Sequence, residues 1–516
     1  MAEITTVGIV GAGAMGRGIA QIAAQAGMQV RLYDTSAQAL AAARDSLGQT
    51  WDTLVKKGKI SAQAAREALA RIHACASIDA LSDCDVVIEA IVERLDVKRE
   101  LFAQLEAIVG PDCILASNTS SLSITAIAAA CRHPERVLGF HFFNPVPLMK
   151  VVEVVDGQRS DPALGDTLMA LAQRMGHTAV RARDMPGFIV NHAGRGMSTE
   201  GLRIAQEAVA SYEQVDAIMR EQAGFRMGPF ELLDLTALDV SHPVMESIYR
   251  QFYDEPRFRP SPITAVRLAG GLLGRKAGEG FYRYSDGQKQ IAGDAPVPLL
   301  DAGAALKVWV SPVHREGHAR ARSLLNALSE KAPGLRLVEG STAPDDALIV
   351  VTPFGEDVST AVYTQHLDPT RTVGLDTLYP PGEAKRRTVM VSPATTPQWR
   401  DAAHALLASD GVPVSVIEDS PGFVAQRMVA CIVNIACDIA QQQIATPADI
   451  DRAVTLGLGY PAGPLALGDK LGAAAMLEIL RNMQRVTGDP RYRPSLWLQR
   501  RVQLGLPLAA PARAGA

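Results

Sequence analysis

The sequence predicts a four-part chain: an α/β domain built on a parallel sheet, an all-α domain, a reduced α/β domain, and a second copy of the all-α domain. Three observations predict it. A glycine-rich turn joins a short apolar strand to a helix at the start of the chain. Patterning becomes helical after Asp184-Met185-Pro186-Gly187. That helical pattern recurs 235 positions later.

The first strand is TTVGIV (5–10); GAGAMG follows, then a helical stretch from Arg17 to Ala26, and MQVRLYD as a second strand after Gly27. Strand, turn, helix and strand make a βαβ unit, whose crossover leaves the strands parallel. The Ala-rich stretch from Ser36 to His73 reads as two helices broken at Lys57-Gly58-Lys59. Strands return at 84–91, 113–118, 136–143 and 150–155, so the first domain is expected over 1–183. Helical patterning with turns at Gly224 and Gly228-Pro229 sets the all-α domain at 184–284, followed by a linker-like stretch, 285–297.

The last third repeats this plan. DMPGFIVNH (184–192) matches DSPGFVAQR (419–427), Gly228-Pro229 matches Gly463-Pro464 at the same spacing of 235, and EPRFRPS (255–261) matches DPRYRPS (489–495) at 234. A register kept over that length marks an internal repeat. The piece between, 298–415, has α/β character, and DPTRTVGLD (368–376) is a faded copy of HPERVLGFH (133–141), with Asp376 where the first copy has His141. It has no counterpart of the glycine turn. The second all-α domain is placed at 416–505, and 506–516 is expected to be a flexible tail.

Composition bounds the function classes. The 516 residues are 47% hydrophobic and 21% charged, ordinary for a globular chain. A net charge of −4 leaves no electrostatic footprint for nucleic acid. No apolar run reaches the length of a membrane span, and the first residues carry no basic, cleavable leader. Cys75, Cys84, Cys113, Cys131, Cys431 and Cys437 have no CxxC spacing and are expected as reduced, mostly buried thiols without a structural metal. These features together predict a cytoplasmic protein.

Gly11-Ala12-Gly13-Ala14-Met15-Gly16 fits G-x-G-x-x-G in the context its mechanism requires, after a strand and opening a helix. Gly11 makes the tight turn, Gly13 admits the pyrophosphate, and Gly16 lets helix and strand pack closely, with Ala14 and Met15 presenting the helix N-terminus to the phosphates. Asp34 closes the second strand, at the distance beyond Gly16 where a carboxylate accepts the ribose hydroxyls and repels a 2′-phosphate. The first domain is thus expected to be Rossmann-type and to bind NAD rather than NADP.

Hydride transfer from a secondary alcohol needs a base for the hydroxyl proton, most often histidine. His141 stands at the end of a predicted strand in GFHFFNP, and Glu153 stands in the next; if these strands are neighbours, the carboxylate orients the imidazole. Alone, a strand histidine is more often a packed core residue.

It does not stand alone. Residues 4–284 resemble the 3-hydroxyacyl-CoA dehydrogenases through GAGAMG, VIEAIVERLDVK (87–98), SNTSSLSI (117–124), GFHFFNPVPLMKVVEVV (139–155), DMPGFIVN (184–191), GPFELLD (228–234) and GRKAGEGFY (274–282). The resemblance implies His141 as general base paired with Glu153, and Ser120 and Asn191 as holders of the substrate's C3 oxygen and thioester. It implies that Glu93, Lys98, Asn144 and Lys276 line the nicotinamide half of the coenzyme site. For Lys98 and Lys276 the bland alternative is a solvated surface lysine. It also implies that the helical pair after the second strand meets coenzyme A through Thr50 and Lys57, with Lys56 and Lys59 crowded beside the latter.

Chains of this length resemble the long bacterial form of the family, which acts on 3-hydroxybutyryl-CoA or, in phenylacetate breakdown, 3-hydroxyadipyl-CoA. The implied activity is (S)-specific, in β-oxidation-type or phenylacetate catabolism. Gln426 stands at the position of Asn191 and Ala466 at that of Glu231, so no second active site is expected. The two all-α domains are expected to pack together within one chain, and whole chains to form homodimers. Arg195, Arg203 and Arg226 are candidates to meet a terminal substrate carboxylate, against surface solvation. The competing readings are a dehydrogenase of a free hydroxy acid and a non-catalytic NAD- or acyl-CoA-binding protein.

Overall fold

The computed structural model describes residues 3–291, 293–299, 305–332 and 334–511. The chain divides into two compact units. One holds residues 3–192 with Gln442–Gly459 and Pro511; the other holds Ala193–Gln441 and Tyr460–Ala510.

The first unit is built on eight strands: β1 (Thr6–Val10), β2 (Gln29–Tyr33), β3 (Ile72–Cys75), β4 (Val86–Glu89), β5 (Ile114–Ser117), β6 (Val137–Phe142), β7 (Val151–Asp156) and β8 (Thr178–Arg183). Their order is β3-β2-β1-β4-β5-β6-β7-β8. All neighbours are parallel except β6 and β7. β4, β5 and β6 are buried throughout, which is why they read as largely apolar runs, broken only by Glu89, Ser117 and His141.

Two of these strands carry no such signal. β3 is a four-residue edge strand, exposed at its two middle positions and placed directly after the helix Ala62–Ala70. β8 carries Arg181, whose charge is met by Asp156 at 2.6 Å and Asp166 at 2.7 Å. The helices Ala37–Lys56 and Ala62–Ala70 form the pair expected after β2. A distant segment joins this unit: the helix Pro447–Leu458, started by its Thr446 cap, packs on β7 and β8. Arg183 N–H donates to Ile444 O at 2.8 Å.

The second unit contains a two-stranded hairpin, β9 (Tyr284–Ser285) and β10 (Gln288–Lys289). It also contains a six-stranded sheet of β11 (Leu306–Val310), β12 (Leu335–Val338), β13 (Ala347–Val351), β14 (Thr372–Leu375), β15 (Arg387–Val391) and β16 (Val414–Ile417). The order is β12-β11-β13-β14-β15-β16, with β14 and β15 antiparallel. The stretch read as a linker is tied down, because Asp294 forms a two-pronged ion pair with Arg386 at 2.9 and 2.8 Å.

In this unit the helix Arg195–Gln206 lies against the helix Ala425–Gln441. Gly196 makes the approach possible: a Cβ there would stand 2.9 Å from the Ile432 backbone. Arg427 crosses the contact to Glu200 at 2.7 Å and Glu207 at 2.8 Å, and Tyr492 donates to Glu200 at 2.8 Å. Arg427 and Glu200 are both buried, so neither charge has water as a fallback. Arg427→Met should therefore destabilise the chain by about 3 kcal/mol, because Glu200 then keeps only the Tyr492 hydroxyl and the Arg491 guanidinium at 3.6 Å. Denaturant unfolding checks this, and Glu200→Gln in the same chain should return part of the loss.

The tail expected to be flexible from 506 is packed as far as Ala510. Leu508 is fully buried, its N–H donates to Asp469 at 2.7 Å, and its carbonyl accepts from Trp497 at 3.0 Å. Asp469 and Trp497 lie in helices that precede the tail, so the tail's own composition does not announce them. The rest of the expected tail, 512–516, lies outside the described residues.

Candidate active site

The glycine turn has the shape that the spacing predicts. Gly11 has φ +106°, and a Cβ there would stand 2.4 Å from Ala90 O. A Cβ on Gly16 would meet Gly11 O at 1.8 Å, so helix and strand need glycine to pack this closely. Gly13 is exposed and has open space around it. It precedes the helix Ala14–Gln25, whose N-terminus has no side-chain cap. First-turn N–H groups left open in this way fit a dinucleotide pyrophosphate. Asp34 follows β2 and accepts from Ala12 N at 2.8 Å and Ser36 N at 2.9 Å, which fixes its carboxylate beside the turn.

β1 and β4 are neighbours, while the chain leaves β1 towards β2 on the other side. A crevice opens at such a reversal, beyond the carboxyl ends of the strands. Glu93, Ser120 and Asn144 all follow the carboxyl ends of strands in this sheet.

Glu93 organises the turn after β5. Its Oε1 accepts from Thr119 Oγ1 at 2.6 Å, Ser120 N at 3.0 Å, Ser121 N at 3.1 Å and Ser121 Oγ at 2.9 Å. Burial pushes its carboxyl up, but Lys98 and these hydrogen bonds outweigh burial and hold it below the usual carboxylate range. Lys98 is not a solvated lysine: it is 1% exposed, with Nζ 2.5 Å from Glu89 and 3.2 Å from Glu93. Glu89 was not singled out in the sequence. It is fully buried and also accepts from Ser117 Oγ at 2.6 Å and Ile91 N at 2.7 Å. An acid inside the apolar run DVVIEAI was the available signal.

His141 and Glu153 face each other across β6 and β7 in direct register. His141 Nδ1 lies 2.6 Å from Glu153 Oε2. The other oxygen of Glu153 accepts from Ile189 N and Val190 N, both at 2.9 Å. Glu153 is fully buried and His141 is 4% exposed, walled by the rings of Phe143 and Phe188. With Nδ1 taken by the carboxylate, Nε2 is the ring nitrogen left for another partner. Asn191 Nδ2 donates to Ser120 O at 3.3 Å, which brings these two residues together.

Other expected residues have neighbours of their own. Thr50 is half-buried on its helix and its hydroxyl donates to Ser46 O, while Lys57 caps the same helix and is exposed. Lys276 lies in the second unit, half-exposed and paired with Asp239. Among the three arginines, Arg226 is exposed and Arg203 pairs with Glu207, whereas desolvation pushes the Arg195 guanidinium down to about 10.

The second sheet has a different set at the matching positions. At the repeat spacing, Asp376, Thr388 and Gln426 are the counterparts of His141, Glu153 and Asn191. Asp376 accepts from Gln426 Nε2 at 2.9 Å and Gln222 Nε2 at 2.8 Å, and Thr388 Oγ1 donates to Gln222 Oε1 at 2.6 Å. Burial raises the Asp376 carboxyl against these bonds. β13 pairs directly with β11, and the helix after β11 is capped by His314, which accepts from Gly317 N at 3.0 Å.

Comparison with known proteins supplies the family. Residues 6–185 match the 3-hydroxyacyl-CoA dehydrogenase NAD-binding domain, and 187–284 and 422–512 match the C-terminal domain of the same family. The chain belongs to the 3-hydroxyacyl-CoA dehydrogenase family. It is an NAD-dependent oxidoreductase of that family. This dehydrogenase is 38% identical over 504 residues to the 3-hydroxyadipyl-CoA dehydrogenase of Escherichia coli strain K12, covering 98% of each chain. The crystal structure of 3-hydroxybutyryl-CoA dehydrogenase from Escherichia coli K12 superposes with a TM-score of 0.85 at 36% identity, over 98% of this dehydrogenase and 99% of that chain. The (S)-3-hydroxybutyryl-CoA dehydrogenase of Ralstonia eutropha, 39% identical with a TM-score of 0.54, is matched over its full length by 55% of the chain.

Proposed function

We propose that the first half of this chain is the working dehydrogenase, interconverting (S)-3-hydroxyacyl-CoA and 3-oxoacyl-CoA, with His141 as the acid and base. The observation that carries this reading is the buried His141–Glu153 pair at 2.6 Å, its carboxylate anchored by two backbone N–H groups. NAD, when bound, supplies the hydride acceptor. The glycine turn Gly11–Gly16 and the helix N-terminus hold its phosphates, and Asp34 takes the ribose hydroxyls. His141 Nε2 removes the C3 hydroxyl proton on oxidation and returns it on reduction. Glu153 fixes the tautomer and stabilises the imidazolium. Ser120 and Asn191 steady the C3 oxygen, Glu93 shapes the turn that carries Ser120, and Glu89 holds Lys98 in place beneath it. Thr50 and Lys57 meet coenzyme A.

The names of the relatives make 3-hydroxybutyryl-CoA and 3-hydroxyadipyl-CoA the substrates to try, in β-oxidation-type or phenylacetate catabolism in the cytoplasm. We read the chain as 1–183, 184–284, 298–415 and 416–505, the second pair being a reduced copy of the first. Two hydrogen bonds support this: Arg183 N to Ile444 O at 2.8 Å, and Glu418 N to Val209 O at 2.9 Å. At the repeat spacing, Arg183 is the counterpart of Glu418 and Val209 that of Ile444, so each bond is the image of the other. Reciprocal bonds of this kind belong to a two-fold interface, here inside one chain. Whole chains then associate as homodimers.

Asp34→Ser should raise the KM for NADH roughly 10- to 100-fold, the worth of a hydrogen bond to a charged group, and narrow the preference for NADH over NADPH. Initial rates with both coenzymes check it. The reading as a whole is tested by following NADH loss with acetoacetyl-CoA, 3-oxoadipyl-CoA and free acetoacetate. It expects turnover of a CoA ester and none of the free acid. NADH binding without turnover of either ester would favour a non-catalytic binding protein.

A further inference from the structure

Gly457 lies in the last turn of a helix that belongs to the second half of the chain yet lies in the first unit, over β7 and β8. No backbone strain demands glycine there, since its φ lies outside the left-handed region. Inside a helix glycine costs about 1 kcal/mol relative to alanine. The space explains it. A Cβ on Gly457 would stand 3.0 Å from both methyl groups of Val190 and 3.5 Å from Val151. Val190 gives one of the two N–H groups that anchor Glu153, and it precedes Asn191. Val151 shares a face of β7 with Glu153, two residues away.

The matching position in the other copy shows what a side chain does there. Gln222 is the counterpart of Gly457 at the repeat spacing, and it ends the turn Ile218–Gln222 within the second unit. It bonds Asp376 and Thr388, the residues at the positions of His141 and Glu153. Opposite it, the position of Val190 is taken by Ala425. One copy therefore pairs glycine with valine and keeps its histidine and glutamate. The other pairs glutamine with alanine and has its polar positions filled.

We propose that Gly457 is a positioning residue for the His141–Glu153 pair, supplied by the half of the chain that has no chemistry of its own. Its bare Cα lets the helix Pro447–Leu458 seat Val190, and through the Val190 N–H holds the Glu153 carboxylate towards His141. Its missing side chain also leaves the pair unplugged. This inference rests on the acid–base reading of that pair.

The test uses the full-length chain with NADH and a 3-oxoacyl-CoA that the wild type reduces. Gly457→Ala should lower kcat up to about 10-fold, since the Val190 methyls must give way by a few tenths of an ångström and the carboxylate moves with them, with the KM for NADH unchanged. Adding Val190→Ala to it should recover most of that loss, because the clash is removed. Gly457→Gln with Val190→Ala rebuilds the filled arrangement, and should abolish turnover while NADH still binds. Should Gly457→Ala fail to fold, this glutamine variant decides. Wild-type kcat in either Gly457→Ala or the glutamine variant overturns the proposal, as does a Gly457→Ala defect that Val190→Ala leaves uncorrected. Either result, obtained beside an active wild type, leaves the dehydrogenase reading standing.

Discussion

His141→Ala should lower kcat for 3-oxoacyl-CoA reduction by about 100- to 10,000-fold, the usual worth of a positioned acid–base group. NADH binding should survive, because on the proposed reading the glycine turn and Asp34 hold the coenzyme. The imidazole is nearly fully buried and closed in by Phe143 and Phe188, so water does not readily take its place. Steady-state rates with a parallel NADH titration separate the two properties. A variant with near-normal kcat would place the proton transfer elsewhere.

The second large effect concerns Glu153. Glu153→Gln keeps shape and volume but changes what faces His141 Nδ1. The two N–H groups of Ile189 and Val190 need an acceptor, so they take the amide oxygen, and the amide NH2 turns towards the ring. Nδ1 must then accept, which puts the ring proton on Nε2, where the base has to be free. The expected loss in kcat is about 1,000- to 10,000-fold, as in triads whose orienting acid becomes an amide. Stability should change far less than activity, since the buried pair is replaced by a satisfied neutral one. Thermal unfolding beside kinetics checks the contrast; a variant that unfolds in proportion to its lost activity would make Glu153 a structural residue.

The legible parts of this molecule were local or came in register. The glycine turn, the first two strands and the acid after them sit within one βαβ unit, and spacing alone predicts them. His141 and Glu153 were legible as candidates on successive strands; their meeting depended on β6 and β7 being neighbours, which their antiparallel register provides. The internal repeat was visible because cap and turn residues recur with it at a constant spacing. Long-range partners were not legible. Glu89 needs Lys98 and Ser117 before its burial makes sense. Leu508 needs Asp469 and Trp497. Gly457 looks like any helical glycine until Val190 is seen against it. Short strands such as β3, exposed at its centre, lack the apolar run by which strands are read.

On the proposed reading, coenzyme binding and chemistry both belong to the first half. Titrating the full-length chain with NADH, followed by the coenzyme's fluorescence, tests it most directly. One NADH should bind per chain, because no glycine turn follows β11 and the helix there is capped by its own His314. Two NADH per chain would contradict it, and would make the second sheet a coenzyme site in its own right.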